Sequence, residues 1–293
     1  MIVARTMGEV RAAARGTVGL VPTMGFLHEG HLSCVSAVRG DSDVVVMSVF
    51  VNPLQFDRAD DLERYPRDLD RDAGLAEQSG VDVLFVPALT ELYPVEPATR
   101  VRVSGVTDAM EGVHRPGHFD GVATVVAKLF AGIRPDLAAF GRKDAQQLAV
   151  VTTMANDLSF PIGIVGVPTV READGLALSS RNVRITERDA ALGLSQGLFA
   201  AADAVAGGER RGAVLEQIVW ETASAAGPEV QYATLADRRT ARPIDSLDRD
   251  TFLAVAATVE DVRLIDNVFL GVDGSADRGV RLNGPSILYG EGR

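Results

Sequence analysis

The chain has one cysteine, two lysines and one tryptophan, and each scarcity narrows what it can be. A lone Cys34 rules out an intrachain disulfide and a zinc site of several thiolates, which points to a reducing, cytoplasmic compartment. No apolar run approaches the ~18 residues needed to cross a bilayer, and the first ten residues lack the basic-then-apolar order of a secretory leader. Positive charge is also short: 29 Lys+Arg against 40 Asp+Glu leave a formal net charge of −11. That is the wrong sign for a protein whose affinity comes from neutralising nucleic-acid phosphates, so neither nucleic acid nor a membrane is an expected partner. Because only Lys128 and Lys143 depart from an otherwise all-arginine set of cations, a lysine here needs a reason.

What remains is a globular composition, 46% hydrophobic and 24% charged, over 293 residues, enough for two domains at roughly 150 each. From Thr17 to Val167, β-branched runs alternate with stretches of helical period, the pattern of parallel βαβ units. The expected strands are Thr17–Pro22, Val44–Val51, Val81–Val86, Leu137–Phe140 and Ile162–Val167; the expected helices are His31–Arg39, Leu69–Ser79, Val122–Ile133 and Ala145–Leu158. After Arg171 an Ala-rich helical pair (Thr186–Val205, Glu209–Ala225) precedes short strands near Val230–Leu235, Phe252–Val259 and Arg263–Asn267. The expected fold class is α/β, a Rossmann-like doubly wound parallel sheet with a smaller C-terminal α+β domain. Residues 1–170 are the expected catalytic domain and 171–293 the C-terminal one. The Asp/Arg-rich stretch Asp57–Asp72 is expected to be a solvated loop leading into a helix.

Four segments carry chemistry. Pro22-Thr23-Met24-Gly25-Phe26-Leu27-His28-Glu29-Gly30-His31 spans the exit of the first long strand and the entry of a helix. Unpaired N–H groups and partial positive charge favour an anion there, and the glycines let backbone approach a phosphate. His28 and His31, three apart, lie on one side of the helical turn and can act together on charge developing at phosphorus. A metal held by His28, His31 and Cys34 is disfavoured, since the three fan over about 120° of helix surface. Asn52 and Gln55, in Val51-Asn52-Pro53-Leu54-Gln55-Phe56, bring neutral amides suited to a substrate with hydroxyls and a carboxylate.

In Gly141-Arg142-Lys143-Asp144, Arg142 and Lys143 bring positive charge to the carboxyl edge of the sheet. Asp144 is an N-cap or a ribose acceptor, and Gln147 follows one turn into the helix. Lys143 suits a place where a compact point charge is needed rather than a planar fork. In the last segment, Arg171 to Asn182, the hydroxyls of Ser179 and Ser180 followed by Arg181 form a loop able to close over a triphosphate. His114 and His118, in the Gly-rich approach to a further helix, are either structural or in contact with substrate.

Together these segments resemble the pantoate–β-alanine ligase (pantothenate synthetase) family of the HIGH-motif nucleotidylyltransferase superfamily. The resemblance extends over nearly the whole chain, and includes Arg-Tyr-Pro-Arg at 64–67 with Asp72, Arg-Pro-Gly-His-Phe-Asp-Gly-Val at 115–122 and Arg-Leu-Ile-Asp-Asn at 263–267. It implies an ATP-dependent ligation in two steps through pantoyl adenylate, releasing pyrophosphate and then AMP. It places ATP against Met24 to His31, Gly141 to Asp144, Val170 and Leu178 to Arg181, with His31 the proton donor, His28 assisting and Lys143 on the phosphates. Gln55 and Gln147 then hold pantoate, Gln55 also lying near β-alanine. Mg²⁺ would come on the ATP phosphates, with Asp72 the candidate protein contact and no dedicated metal site, and the protein would be a homodimer. Arg142 stands where many relatives have Glu or Gln, and Leu178 where many have Met. A simple nucleotidylyltransferase and a non-catalytic nucleotide-binding regulator are the alternative readings.

Overall fold

The computed structural model describes residues 1–290; residues 291–293, the end of the expected C-terminal domain, lie outside the described residues. Apolar strands alternate with helices from the start of the chain: β1 (Ile2–Ala4), α1 (Met7–Ala13), β2 (Val18–Thr23), α2 (Glu29–Arg39) and β3 (Val44–Val49). A 3-10 turn at Pro53–Gln55 leads to α3 (Ala59–Arg64), α4 (Leu69–Gln78), β4 (Val83–Phe85), α5 (Leu89–Leu92), α6 (Glu111–His114) and α7 (His118–Ile133). Then come β5 (Leu137–Gly141), a 3-10 turn at Arg142–Asp144, α8 (Ala145–Asp157) and β6 (Gly163–Val167).

Strands β1 to β6 form one parallel sheet in the order β1-β4-β3-β2-β5-β6. Two crossovers run outward from β2 to β3 and β4, whereas the chain then returns to place β5 and β6 on the other side. The carboxyl ends of β2 and β5 therefore flank the point where strand order reverses, the place where open α/β sheets bind ligands. Val45, Val46 and Met47 of β3 are fully buried, as a strand covered on both faces requires. Val21, Leu27, Val35, Val38 and Leu84 complete the core beside them.

The chain divides into two compact units. The first comprises residues 1–104, 111–141 and 150–167 and holds the parallel sheet; the second comprises 105–110, 142–149 and the chain from Pro168 onward. In the second, β7 (Val170–Arg171) and a 3-10 turn at Ser180–Arg184 precede α9 (Arg188–Ala206) and α10 (Gly212–Ala225). There follow β8 (Glu229–Asp237), β9 (Thr251–Val259), β10 (Val262–Leu270), β11 (Ala276–Asp277), β12 (Val280–Arg281) and a 3-10 turn at Ile287–Tyr289. An antiparallel sheet ordered β11-β10-β9-β8 shares one apolar cluster with the two helices, including Leu194, Leu198, Leu215, Val219, Leu253 and Val255. The short strand β12 pairs in parallel with β7, Val280 opposite Val170.

Several elements differ from the sequence expectation. β1 and α1 lie outside it, although Thr6 and Glu9 form a reciprocal capping box at the start of α1. α3 lies within the stretch expected to be loop, where its charged residues show no apolar period. α7 begins four residues earlier than expected, after a left-handed Gly117.

The most deeply buried charge is Arg171, whose guanidinium makes a bidentate pair with Asp266 at 2.6 and 2.9 Å. It also donates to the carbonyls of Gly175 and Asn267, so that the buried donors are met. Removing one partner of such a pair strands the other, at a cost of about 3–5 kcal/mol. Trp220, the chain's one tryptophan, lies in α10 of the same unit. Asp266→Ala is therefore expected to shift the denaturant midpoint of Trp220 fluorescence strongly downward, and a stability within about 0.5 kcal/mol of wild type would contradict it.

Candidate active site

At the carboxyl end of β2 the chain turns through Gly25 at φ +86° and Phe26 at φ +50° before α2 begins. Glycine takes the first of these freely, whereas Phe26 holds a left-handed conformation that costs a side-chain-bearing residue on the order of 1 kcal/mol or more. The carboxylate of Asp72, buried on α4, accepts the N–H of Phe26 at 2.7 Å on one oxygen and that of Leu27 at 2.7 Å on the other. Arg71 stacks its guanidinium over the Phe26 ring at 5.1 Å. A backbone turn that no strand ladder can satisfy is thus satisfied by one side chain.

Both imidazoles are capping groups. Nδ1 of His28 accepts the N–H of Gly30, Nδ1 of His31 accepts the N–H of His28, and the ring centroids lie 4.0 Å apart. With both Nδ1 atoms acting as acceptors, the ring proton belongs on Nε2, which makes Nε2 the hydrogen-bond donor of each. His28 is buried and His31 half-buried. The helix N-terminus and two oriented N–H donors make this turn a receptor for an anion.

Next to it, Gln55 donates from Nε2 to the Met24 sulfur at 3.0 Å and accepts from Asn52 Nδ2 at 3.1 Å. Asn52 is 1% exposed. Its oxygen accepts from Tyr93 OH at 3.0 Å and its nitrogen also donates to the Gly121 carbonyl at 3.1 Å. Asn52, expected to contact substrate, has both amide atoms engaged here and holds Gln55 in place. A Cβ on Gly121 would meet the Leu54 carbonyl oxygen at 2.2 Å, so only glycine lets α7 approach this turn. His118 donates from Nδ1 to the Gln55 carbonyl at 2.7 Å, with Arg115 reaching the same oxygen at 3.2 Å; His118 therefore fixes the Gln55 backbone.

Gly141 ends β5 in the first unit, and the remaining site residues lie in the second. The carbonyls of Arg142 and Lys143 both accept from Asn267 Nδ2, at 3.0 and 2.7 Å, and the Lys143 ammonium is 3.6 Å from Asp144. Gln147 is half-buried, while its neighbour Gln146 is consumed by the Val106 and Ala109 carbonyls. The Val170 carbonyl accepts the N–H of the buried Leu178. Ser179 caps the 3-10 turn of Ser180 and Arg181 through the Arg181 N–H. Glu172, buried, accepts from Asn182 at 2.9 Å and Arg188 at 2.6 Å. Asp72, the candidate metal contact, serves here as a backbone anchor. Asn267 stands in the sequence within a motif that assigns it no role, and Tyr93 carries no sequence signal at all. No group of three or more His, Cys, Asp or Glu able to hold a metal occurs among the described residues.

Fold and site thus define a doubly wound α/β protein whose first long strand delivers an anion-receptive helix N-terminus to the switch point. A family profile described as pantoate-beta-alanine ligase matches residues 2–269. The chain is 51% identical over 259 residues to a pantothenate synthetase of Heliobacterium modesticaldum, covering 87% of this chain and 92% of the relative. It is 50% identical over 279 residues to that of Moorella thermoacetica, covering 92% and 98%. The crystal structure of a Thermus thermophilus pantothenate synthetase superposes with a TM-score of 0.88 at 46% identity, over 93% of this chain and 99% of that one. A Francisella tularensis pantoate-beta-alanine ligase, complexed with beta-gamma ATP and beta-alanine, superposes at 0.73 with 29% identity, over 94% and 100%. The chain belongs to the pantoate–β-alanine ligase family.

Burial outweighs the two amide bonds to Asp72 and raises its pKa above the usual 3.8. Its contribution to stability is accordingly fullest below pH 3.8 and declines as pH rises through the raised value. The turn nevertheless depends on the carboxylate. In Asp72→Ala the amides of Phe26 and Leu27 lose their acceptors, at about 1–3 kcal/mol, and their hydrogen exchange at neutral pH is expected to accelerate about tenfold or more. Those of Val45 to Met47 should keep their protection. Unchanged exchange at 26 and 27 would remove Asp72 as the anchor.

Proposed function

We propose that the protein condenses pantoate with β-alanine to pantothenate, splitting ATP to AMP and pyrophosphate through pantoyl adenylate. The observation that carries this reading is the pair of Nε2-protonated imidazoles capping α2 at the switch point of a chain that belongs to this family. The ATP and beta-alanine of the Francisella complex support it from a relative.

In the first step a carboxylate oxygen of pantoate bonds to the α-phosphorus while the bond to the β-phosphate bridging oxygen breaks, and pyrophosphate leaves. Charge grows on phosphoryl oxygens, where donors already in position stabilise the transition state more than the ground state. His31 donates a hydrogen bond from its Nε2–H to those oxygens, with His28 beside it. The nucleotide is held by Met24, Gly25, Phe26, Leu27, Glu29 and Gly30, by Gly141, Arg142, Lys143 and Asp144, and by Val170, Leu178, Ser179, Ser180 and Arg181. Lys143 and Arg181 carry phosphate charge. Gln55 and Gln147 hold pantoate. In the second step the neutral amine of β-alanine attacks the acyl carbon, loses a proton, and AMP departs with one former carboxylate oxygen.

Mg²⁺ would arrive on the ATP phosphates, with no dedicated protein site and with Asp72, each of whose oxygens accepts one backbone N–H, as the candidate contact. A homodimer in the cytoplasm completes the reading; no helix among the described residues is long and apolar enough to cross a membrane.

The test uses ATP, pantoate and β-alanine, with pantothenate, AMP and pyrophosphate expected in equal amounts. His31→Asn keeps an acceptor near the Nδ1 position and removes the Nε2 donor. It is expected to retain the wild-type melting temperature and lose roughly 10²–10⁴-fold in adenylation rate. ADP and phosphate as products would overturn the reaction, and near-wild-type adenylation by the variant would overturn the role of His31.

A further inference from the structure

The family profile ends at residue 269, yet the twenty residues that follow bond to Arg142, pair with the strand of Val170 and meet Glu172 beside the Leu178–Arg181 loop. Asp277 on β11 pairs with the Arg142 guanidinium at 2.6 Å, both partly buried. It also accepts the Gly279 N–H, which fixes its own carboxylate. The partner of Arg142 thus lies in the segment beyond the profile. Three residues on, β12 pairs with β7: Val280 donates its N–H to the Thr169 carbonyl and Leu282 to that of Arg171, at 2.8 and 2.9 Å. Val170 is thereby held from the far side of its contact with Leu178.

The segment closes on Tyr289. Its hydroxyl donates to Glu172 at 2.9 Å and accepts from Arg188 at 3.1 Å. Glu172 in turn accepts from Asn182, whose amide nitrogen also donates to the Ala177 carbonyl at 3.0 Å and whose backbone N–H meets the Ser179 carbonyl at 2.9 Å. The loop from Leu178 to Arg181 is therefore gripped at both ends through a chain of bonds that begins at Tyr289. Such bonds are charge-assisted and directional, and a loop fixed at both ends loses little entropy when it meets a phosphate.

We propose that Gly271–Tyr289 is a brace for the nucleotide-contacting elements, with Asp277 and Tyr289 as its positioning residues: Asp277 acts through Arg142, and Tyr289 through Glu172 and Asn182 on the Leu178–Arg181 loop. This rests on the ATP reading above. Neither residue reacts; each sets where a substrate-contacting group stands, and small displacements of such groups are costly to rate.

Asp277→Asn, Asp277→Glu and Tyr289→Phe are measured in the full chain for ATP dissociation constant by calorimetry, single-turnover adenylation, KM for pantoate and the Trp220 unfolding midpoint. Asp277→Asn and Tyr289→Phe are expected to weaken ATP binding and slow adenylation, together by about tenfold, with KM for pantoate and the midpoint unchanged. Asp277→Glu keeps the charge and restores most of the loss. Asp277→Asn added to Arg142→Gln should cost nothing further, whereas Tyr289→Phe added to it should cost its full amount. Wild-type values in both single variants, equal losses toward ATP and pantoate, or loss of folding in both would overturn the brace. A wild type that binds ATP and makes no pantothenate overturns the ligase reading alone, and the ATP constants still decide the brace; a wild type that binds no ATP overturns both.

Discussion

Backbone that turns sharply inside a protein must have its N–H groups met, and at the first strand–helix junction that demand falls on Asp72. Its two oxygens take the amides of Phe26 and Leu27, which holds Phe26 left-handed and delivers His28 to the cap of α2. From the cap follows the orientation of both imidazoles, since each spends Nδ1 on a backbone N–H. The outward presentation of Nε2, on which the proposed assistance at phosphorus rests, is thus a consequence of how the helix begins.

The second unit repeats the device with other groups. Asn267 takes two consecutive carbonyls of the Arg142–Lys143 turn, and its neighbour Asp266 neutralises the buried Arg171 at the start of the loop that ends in Arg181. Adjacent residues of one strand, β10, therefore hold two elements far apart in sequence. Buried polar groups of this kind contribute to specificity of arrangement more than to stability.

Much of this is legible in the amino-acid sequence. The parallel sheet follows from continuous β-branched runs such as Val44 to Val49, and the histidine turn from its place between such a run and a helical period. What is not legible depends on long-range partners. Asp72 is singled out only by the family resemblance, and nothing local in its Asp/Arg-rich stretch reveals that it lies buried against residues 26 and 27. Nor does the sequence around Asn52 reveal that Tyr93, 41 residues away, donates to its oxygen. The three-residue strand β1 is too short to show a period, and α1 offers little beyond the capping signal of Thr6 and Glu9. In the C-terminal segment, Asp277 and Tyr289 acquire meaning only from Arg142 and Glu172, 135 and 117 residues distant.

An acyl adenylate hydrolyses readily, so groups that hold nucleotide and acid together also shield the intermediate until the amine arrives. Pantoate labelled with ¹⁸O in its carboxylate tests that intermediate most directly. After turnover with ATP and β-alanine, AMP should carry one label from the acid and pyrophosphate none, because the oxygen that attacked phosphorus leaves with it. Unlabelled AMP, or label in inorganic phosphate, would contradict attack at the α-phosphorus.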